Sequence, residues 1–249
     1  MLVNVRTYQE EMHNSVGFFA TWLPGDILDL GDVGELKDGQ FRKRASLKDL
    51  GIEHNLSSRG PSQDLEVTSK GGVEVVVEGG IAGTVLPVTA LTKVEFKRRG
   101  AFVFNATDVR KQVLEHSADM AKAILDAHRA NKWKKNWCIV DSVHLAGCAT
   151  VLIAENKSAG VTFEASTELP LGNLPLANPN VKLKITSSRG KLVQVLGARD
   201  LRPLYSCIKL ERKWWAGPEL GKVRGSASPG SPFTRLDIGD LWGAETLDD

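Results

Sequence analysis

No stretch of this sequence approaches the roughly 18 consecutive apolar residues of a membrane-crossing helix, which excludes an ordinary helical membrane protein. Cysteine is scarce. The three present are an odd number without framework spacing, so a disulfide-built scaffold is excluded and a reducing compartment is implied. The opening MLVNVRTYQEEMHNSVGFF has acids where a secretory signal needs a basic region and an apolar run, so a cytoplasmic location is expected. GxSxG, HExxH, P-loop and EF-hand patterns are missing. GDVGEL lacks the third glycine of a dinucleotide fingerprint, and no helix pattern follows it.

What is present is the composition of a globular protein: 249 residues, 42% hydrophobic and 25% charged, enough for one large domain or two small ones. The net charge of +2 conceals an uneven distribution. Residues 91–135 carry +6 and 181–224 carry +8, whereas 225–249 carry −4. Basic segments of this kind attract nucleic acid or anionic lipid, unless they are simply solvated faces.

The opening residues to about Ser15 read as a short amphipathic helix, with Leu2, Val5, Tyr8, Gln9 and Met12 on one side. Glycines punctuate residues 23–52 into small strands and turns. Period-two alternation then sets in at Leu65 and Val67, at Val73, Val75 and Val77, and at Val94 and Phe96, one wet and one dry face in each case. A helix is expected from about Asp108, capped by Thr107 or Asn105, with Val109, Val113, Leu114, Ala121, Ile124 and Leu125 as its apolar stripe. Next, 137–145 and 148–155 read as a hairpin turning at Ala146-Gly147, and GVTFEAST extends its second strand or starts another. A Pro/Gly/Asn-rich loop and the alternating VKLKITSSRGKLVQVLG follow. The segment after Trp215 is a linker by composition.

Two cysteines, a histidine and an aspartate within WCIVDSVHLAGC invite a reading as a metal or nucleophile site. Strand geometry argues against it. Asp141 and His144, three apart, point to opposite faces, and Cys138 and His144 lie roughly 20 Å apart along a strand. Neither the ligand spacing of zinc nor a Cys–His pair is present. His13, His54, His116 and His128 are scattered. The chain is expected to be no enzyme, with no cofactor and no metal, and Cys138, Cys148 and Cys207 are expected to be dispensable. Trp133, Trp137, Trp214 and Trp215 sit beside basic residues, where they could stack on single-stranded nucleic acid, anchor at a membrane interface, or merely cover core edge.

The order of elements, from short helix through turn-rich sheet, alternating strands, basic amphipathic helix and WCIVDSV strand to a last alternating pair, resembles the pore-forming domain of gasdermins over roughly residues 1–212. WCIVDSV stands where animal members carry a VVTEV-like strand, with Asp141 and Ser142 in place of Thr and Glu. TSSRGKLVQVLGARDLRPLYSCIKL looks like their TIPxGSxLAFxVxxLxI segment. The short tail is similar to that of bacterial members, whereas their N-terminal lipidated cysteine has no counterpart before Cys138.

The resemblance implies an α+β fold, a twisted and mostly antiparallel sheet with flanking helices. It divides the chain into a pore-forming domain (1–215), a linker (216–232) and an inhibitory tail (233–249). It implies an autoinhibited, protease-activated pore former that oligomerises and causes cell death in defence, cytoplasmic when inactive and at the inner (plasma) membrane when active. Its partners would be membrane lipids, an activating protease and further copies of itself, with no nucleic acid. Candidate membrane-spanning positions are Leu65, Val67, Val73, Val75, Val77, Val94, Phe96, Phe102, Phe104, Val151, Ile153, Val161, Phe163, Val181, Leu183 and Ile185. The hairpins would be 65–78 with 92–104, and 148–165 with 181–196. Lys97, Arg98, Arg99, Lys132, Lys134 and Lys135 are candidates for lipid headgroups, and Lys222 and Arg224 for cleavage by a trypsin-like protease. Phe233, Leu236, Ile238, Leu241 and Trp242 are candidates for autoinhibitory docking. The competing reading is a soluble module that binds nucleic acid or an acidic partner.

Overall fold

Alternation governs most of the chain. Lys93 and Glu95 stay partly exposed while Val94 and Phe96 are buried, as successive residues of a strand on a covered face must be. The computed structural model describes residues 2–21, 28–78, 91–165, 183–211, 215 and 231–242. Over them the fold is mixed α and β, a mostly antiparallel sheet structure with few helices. The chain forms two units. One comprises Met1–Asp26, Pro61–Arg110 and Leu145–Pro203, the other Ile27–Gly60, Lys111–His144 and Leu204–Asp249. Four long strands, β4 (Leu56–Thr68), β7 (Phe102–Leu114), β8 (Cys138–Ala154) and β11 (Leu192–Leu210), contribute residues to both.

The first unit begins with α1 (Leu2–Val16) and β1 (Phe19–Ala20). Tyr8, Gln9 and Met12 are its buried side, as the amphipathic pattern anticipates. Gln9 uses its whole amide: Oε1 accepts from the Ala20 N–H at 2.9 Å and Nε2 donates to the Ala20 carbonyl. Tyr8 meets Phe102 edge-on at 4.9 Å. The same unit holds a four-stranded antiparallel sheet in the order β10-β9-β6-β5, built from β5 (Val73–Glu78), β6 (Leu91–Phe96), β9 (Gly160–Ala165) and β10 (Leu183–Arg189).

The second unit contains the hairpin of β2 (Asp32–Lys37) and β3 (Gln40–Ser46), turning at Asp38-Gly39 with both residues at positive φ. Val33 of β2 pairs with Ile139 of β8. Helix α2 (Ala118–Arg129) is capped by Ser117, whose hydroxyl accepts from the Met120 N–H, and it buries Met120, Ala121 and Ile124. Those side chains join Val33, Leu47, Ile52, Leu114, Trp133 and Ile208 in the core of this unit. β12 (Phe233–Arg235) pairs with the end of β11, Ile208 opposite Arg235, and α3 (Ile238–Leu241) follows.

Three sequence expectations are overturned. The helix does not begin near Asp108, because β7 continues to Leu114 and α2 starts at Ala118. Val109 and Val113 fit a strand face as well as a helix stripe. Asp108 takes φ +52 within the strand, where its N–H reaches Asp64 Oδ1 at 3.0 Å and its carboxylate holds Arg110 at 2.6 Å. Nor does the chain turn at Ala146-Gly147, since β8 runs unbroken for 17 residues. A side chain at Gly147 would meet the Asp108 side chain at 3.1 Å, so this glycine permits close approach rather than a turn. Finally, each long strand expected for the two hairpins is split. β4 stops before β5, β6 before β7, β8 before β9 and β10 before β11, and the four breaks carry Gly71, Gly100, Ser158 and Gly190 at positive φ.

Candidate functional site

The four-stranded sheet of the first unit is the most specific assembly of the nominated positions. Its register sets Val75 opposite Val94 and Val94 opposite Val161, with Val73 opposite Phe96 and Phe163 opposite Ile185. On this face Val94, Phe96, Val161 and Phe163 are buried against Ala101, Val103, Leu152 and Ala154. The other face is charged. Lys93 lies 2.9 Å from Glu95, Arg189 3.6 Å from the same carboxylate, and Lys97 pairs with Glu74. The hydrogen bond from Lys93, then its charge, holds the Glu95 carboxyl below its ordinary range. β5 and β10 end the order, and Val75 and Val76 on β5 are 38% and 37% exposed.

Of the other nominated strand positions, Leu65, Val67, Phe102, Phe104, Val151 and Ile153 belong to β4, β7 and β8, strands of the larger sheet. They are therefore not part of the four-stranded assembly. Val77 and Leu183 occupy β5 and β10. Val181, Lys222 and Arg224 lie outside the described residues.

The cations fall into two groups. Lys97, Arg98 and Arg99 belong to the first unit, between β6 and β7. Lys97 is paired with Glu74, which raises its pKa, and Arg98 with Glu11, whereas Arg99 is exposed. Lys132, Lys134 and Lys135 are exposed just after α2 in the second unit. The tryptophan among them is not exposed with them. Trp133 is 3% exposed, lies in the core and meets Trp137 at 5.8 Å, so it offers no stacking platform.

The C-terminal segment 231–242 is part of the second unit, and its Phe233 belongs to that unit's core. Phe233, Leu236 and Leu241 are buried, and Ile238 and Trp242 partly so. Leu236 N–H donates to the Cys207 carbonyl at 2.9 Å, Lys209 holds Asp240 at 3.0 Å, and Gly39 N–H donates to the Leu241 carbonyl at 3.1 Å. The Trp242 ring lies so close over Gly39 that an added Cβ would fall 2.4 Å from it. Asp237 and Asp240 form a reciprocal capping box that starts α3.

Sequence reasoning missed a buried polar cluster in the second unit. Ser206 donates to Asp141 Oδ1 at 2.7 Å and touches Ser142 at 2.5 Å, while His116 Nε2 stands 3.4 Å from Asp141 Oδ2. Asp141 thus lies between serine and histidine, so the histidine is not positioned to activate the serine as in a nucleophilic triad. The His116 ring also faces Phe233 at 5.6 Å. A cleft of about 740 Å³ in the same unit includes Asp32, Lys43 and His54 in its wall. Asp32 there is already committed to Lys43, 2.7 Å away, and to the Asp29 N–H. Among the described residues no group of three or more His, Cys, Asp and Glu is placed to hold a metal, and no helix is long and apolar enough to cross a membrane.

Burial, reinforced by the charges of Lys111 and Arg235, lowers the His144 pKa from 6.5 to about 4. His144 is therefore neutral in the fold, and the unfolded chain binds the extra proton as pH falls below 6.5. This contribution to stability is present above that value and lost as pH falls towards 4. Urea unfolding at pH 5 is expected to give about 2 kcal/mol less stability than at pH 7 from this group. His144→Gln should flatten that part of the profile, and an unchanged slope would remove the assignment.

No family model matches the chain, and no curated protein matches its sequence. Among solved structures it is similar to one titled "Cryo-EM structure of the Gasdermin A3 membrane pore", at 10% identity and a TM-score of 0.24, over 83% of this chain and 90% of that one. Likeness that weak carries no functional weight.

Proposed function

We propose that the chain is a latent membrane pore former whose inserting element is the four-stranded sheet of the first unit. The observation that carries this reading is its topology. Four antiparallel strands with two end strands form a repeat that can add β10 of one copy to β5 of the next and remain antiparallel throughout. A sheet with open edges cannot persist in hydrocarbon, so insertion requires a closed ring of copies. Such a ring would turn one face to lipid and the other to water, and the apolar and charged faces already alternate as that demands. Residues 73–96 suffice for two arms of about 11 residues and a tight turn. The connection 79–90 has no charged residue, and 166–182 has only Glu168 and Lys182, as the leading ends of inserting hairpins require.

On this reading the segment 231–242 holds the inactive form and cleavage in the preceding linker releases it. The gasdermin resemblance in the sequence adds the expectation of a cell-death role in defence, with a cytoplasmic resting form and an inner (plasma) membrane target. The test places a site-specific protease sequence within 225–231 and adds dye-loaded anionic vesicles. The cut chain is expected to release dye and to cross-link into rings, and the uncut chain to do neither. A cut chain that stays folded and releases nothing would sink the reading. If that chain instead shifted nucleic acid without touching vesicles, the binding-module alternative would take its place.

A further inference from the structure

We propose that the four strand breaks of the first unit form one hinge and that α1 is the clasp that holds it. The breaks lie in a row. In the small sheet the order is β10-β9-β6-β5, and the strands that continue these beyond the breaks, β11, β8, β7 and β4, pair in the same order in the larger sheet. Hydrogen bonds join each break to the next. Lys97 N–H donates to the Gly72 carbonyl at 2.9 Å, and Gly100 N–H to the Ala154 carbonyl at 2.8 Å. Ser158 N–H donates to the Phe96 carbonyl at 3.1 Å, and Glu155 N–H to the Lys191 carbonyl at 2.9 Å. At the end of the row Lys191 N–H reaches Asn156 Oδ1 at 3.1 Å, and Arg189 Nε the Ser158 carbonyl at 3.0 Å. Each break has one residue at positive φ, and none can turn to the extended region without moving groups that its neighbour's hydrogen bonds use.

Helix α1 rests on the break between β6 and β7. Thr7, Tyr8 and Glu11 share one side of the helix, and all three meet this break. Thr7 lies against Gly100, where an added Cβ would stand 3.4 Å from the threonine Cβ. Glu11 pairs with Arg98, and the Tyr8 ring meets Phe102 edge-on. Joining β6 to β7 as one strand takes Gly100 from φ +76 to the extended region and re-aims Arg98, so the contacts of Thr7 and Glu11 belong to the broken state alone. The helix therefore favours the broken state by what those contacts contribute. On the pore reading, which this inference extends, α1 must loosen before each strand of the inserting sheet can run on into its continuation. The hinge itself requires only the breaks and the helix, all within the first unit.

Hydrogen exchange on the uncut full-length chain tests the hinge without membranes. Glu11→Arg, at a part-exposed position, should speed exchange about threefold at Lys97, Gly100, Glu155, Ser158 and Lys191 together. Tyr8→Ala should speed the same amides by about tenfold or more, and Glu11→Arg carries the test alone if that variant does not fold. Asn156→Ala, exposed at the far end of the row, should speed exchange at Gly100 as well as at Lys191. Glu11→Arg combined with Arg98→Glu should restore the wild-type rates. Protection across α2 of the second unit should stay unchanged throughout. Faster exchange only at the break nearest each substitution, no change at any break, or loss of protection that extends to α2 would overturn the proposal. Dye release from the cut chain separates this inference from the pore reading. Release by the wild type, with breaks that exchange one by one, removes the hinge and spares the pore. Breaks that exchange together, with no release from any cut chain, remove the pore and spare the hinge.

Discussion

Val75→Arg is expected to leave the soluble fold intact and to abolish dye release from vesicles, whereas Val76→Arg should leave both unchanged. The two valines are neighbours on β5 and almost equally exposed, at 38% and 37%. In the soluble chain an added arginine reaches water from either position, so each substitution should change stability by no more than about 0.5 kcal/mol. They differ in the face they serve. Val75 lies opposite Val94, on the apolar face, and Val76 opposite Lys93, on the charged one. In a closed barrel the first would meet hydrocarbon and the second the aqueous lumen. A lipid-facing arginine between midplane and interface costs roughly 1–3 kcal/mol per copy, and a ring imposes that cost on every subunit. Dye release by the cleaved chains, with thermal melts of the uncut ones, separates the outcomes. Equal retention of leakage would mean that β5 does not enter lipid. Equal loss would point to the sheet edge, not to its faces.

This pair of valines also shows how far the sequence could be read. Period-two alternation located β5 and β6 because burial on one face leaves a local signature in the residues themselves. The same rule failed at Ala146-Gly147, where a glycine needed for the approach of the Asp108 side chain looks like a turn glycine. It failed again at Val109 and Val113, whose spacing of four satisfies both helix and strand periods. What decides there is Asp108 in a left-handed conformation, held by Asp64 and Arg110, and no spacing within one segment displays that. Pairings between distant residues were invisible for a related reason. The pairing of Asp141 with Ser206 depends on β8 and β11 lying side by side, which local pattern does not specify. The apolar residues of the C-terminal segment were legible as a docking group, but their seat on β11 and Gly39 was not.

Leu241→Asp is expected to free the C-terminal segment while the rest of the chain stays folded. Leu241 is 0% exposed, its carbonyl accepts from Gly39, and Trp242 beside it covers the Asp38-Gly39 turn. Burying a carboxylate there loses the packing of the leucine and adds the cost of an unpaired charge, together at least about 3 kcal/mol. β12 is three residues and α3 four, so local release of 231–242 competes with unfolding of the whole unit. Hydrogen exchange should then report lost protection over 233–241 alone, and the pore reading adds dye release without cleavage. Tethering keeps the wild-type segment at an effective concentration of about millimolar, so modest contacts hold it and a single buried charge suffices to displace it. Should Leu241→Asp instead lower the global unfolding free energy by its full cost, with protection lost across α2 and β8, the segment would be an integral part of the second unit's core. Autoinhibition by this segment would then have no physical basis, because nothing could leave without the unit itself unfolding.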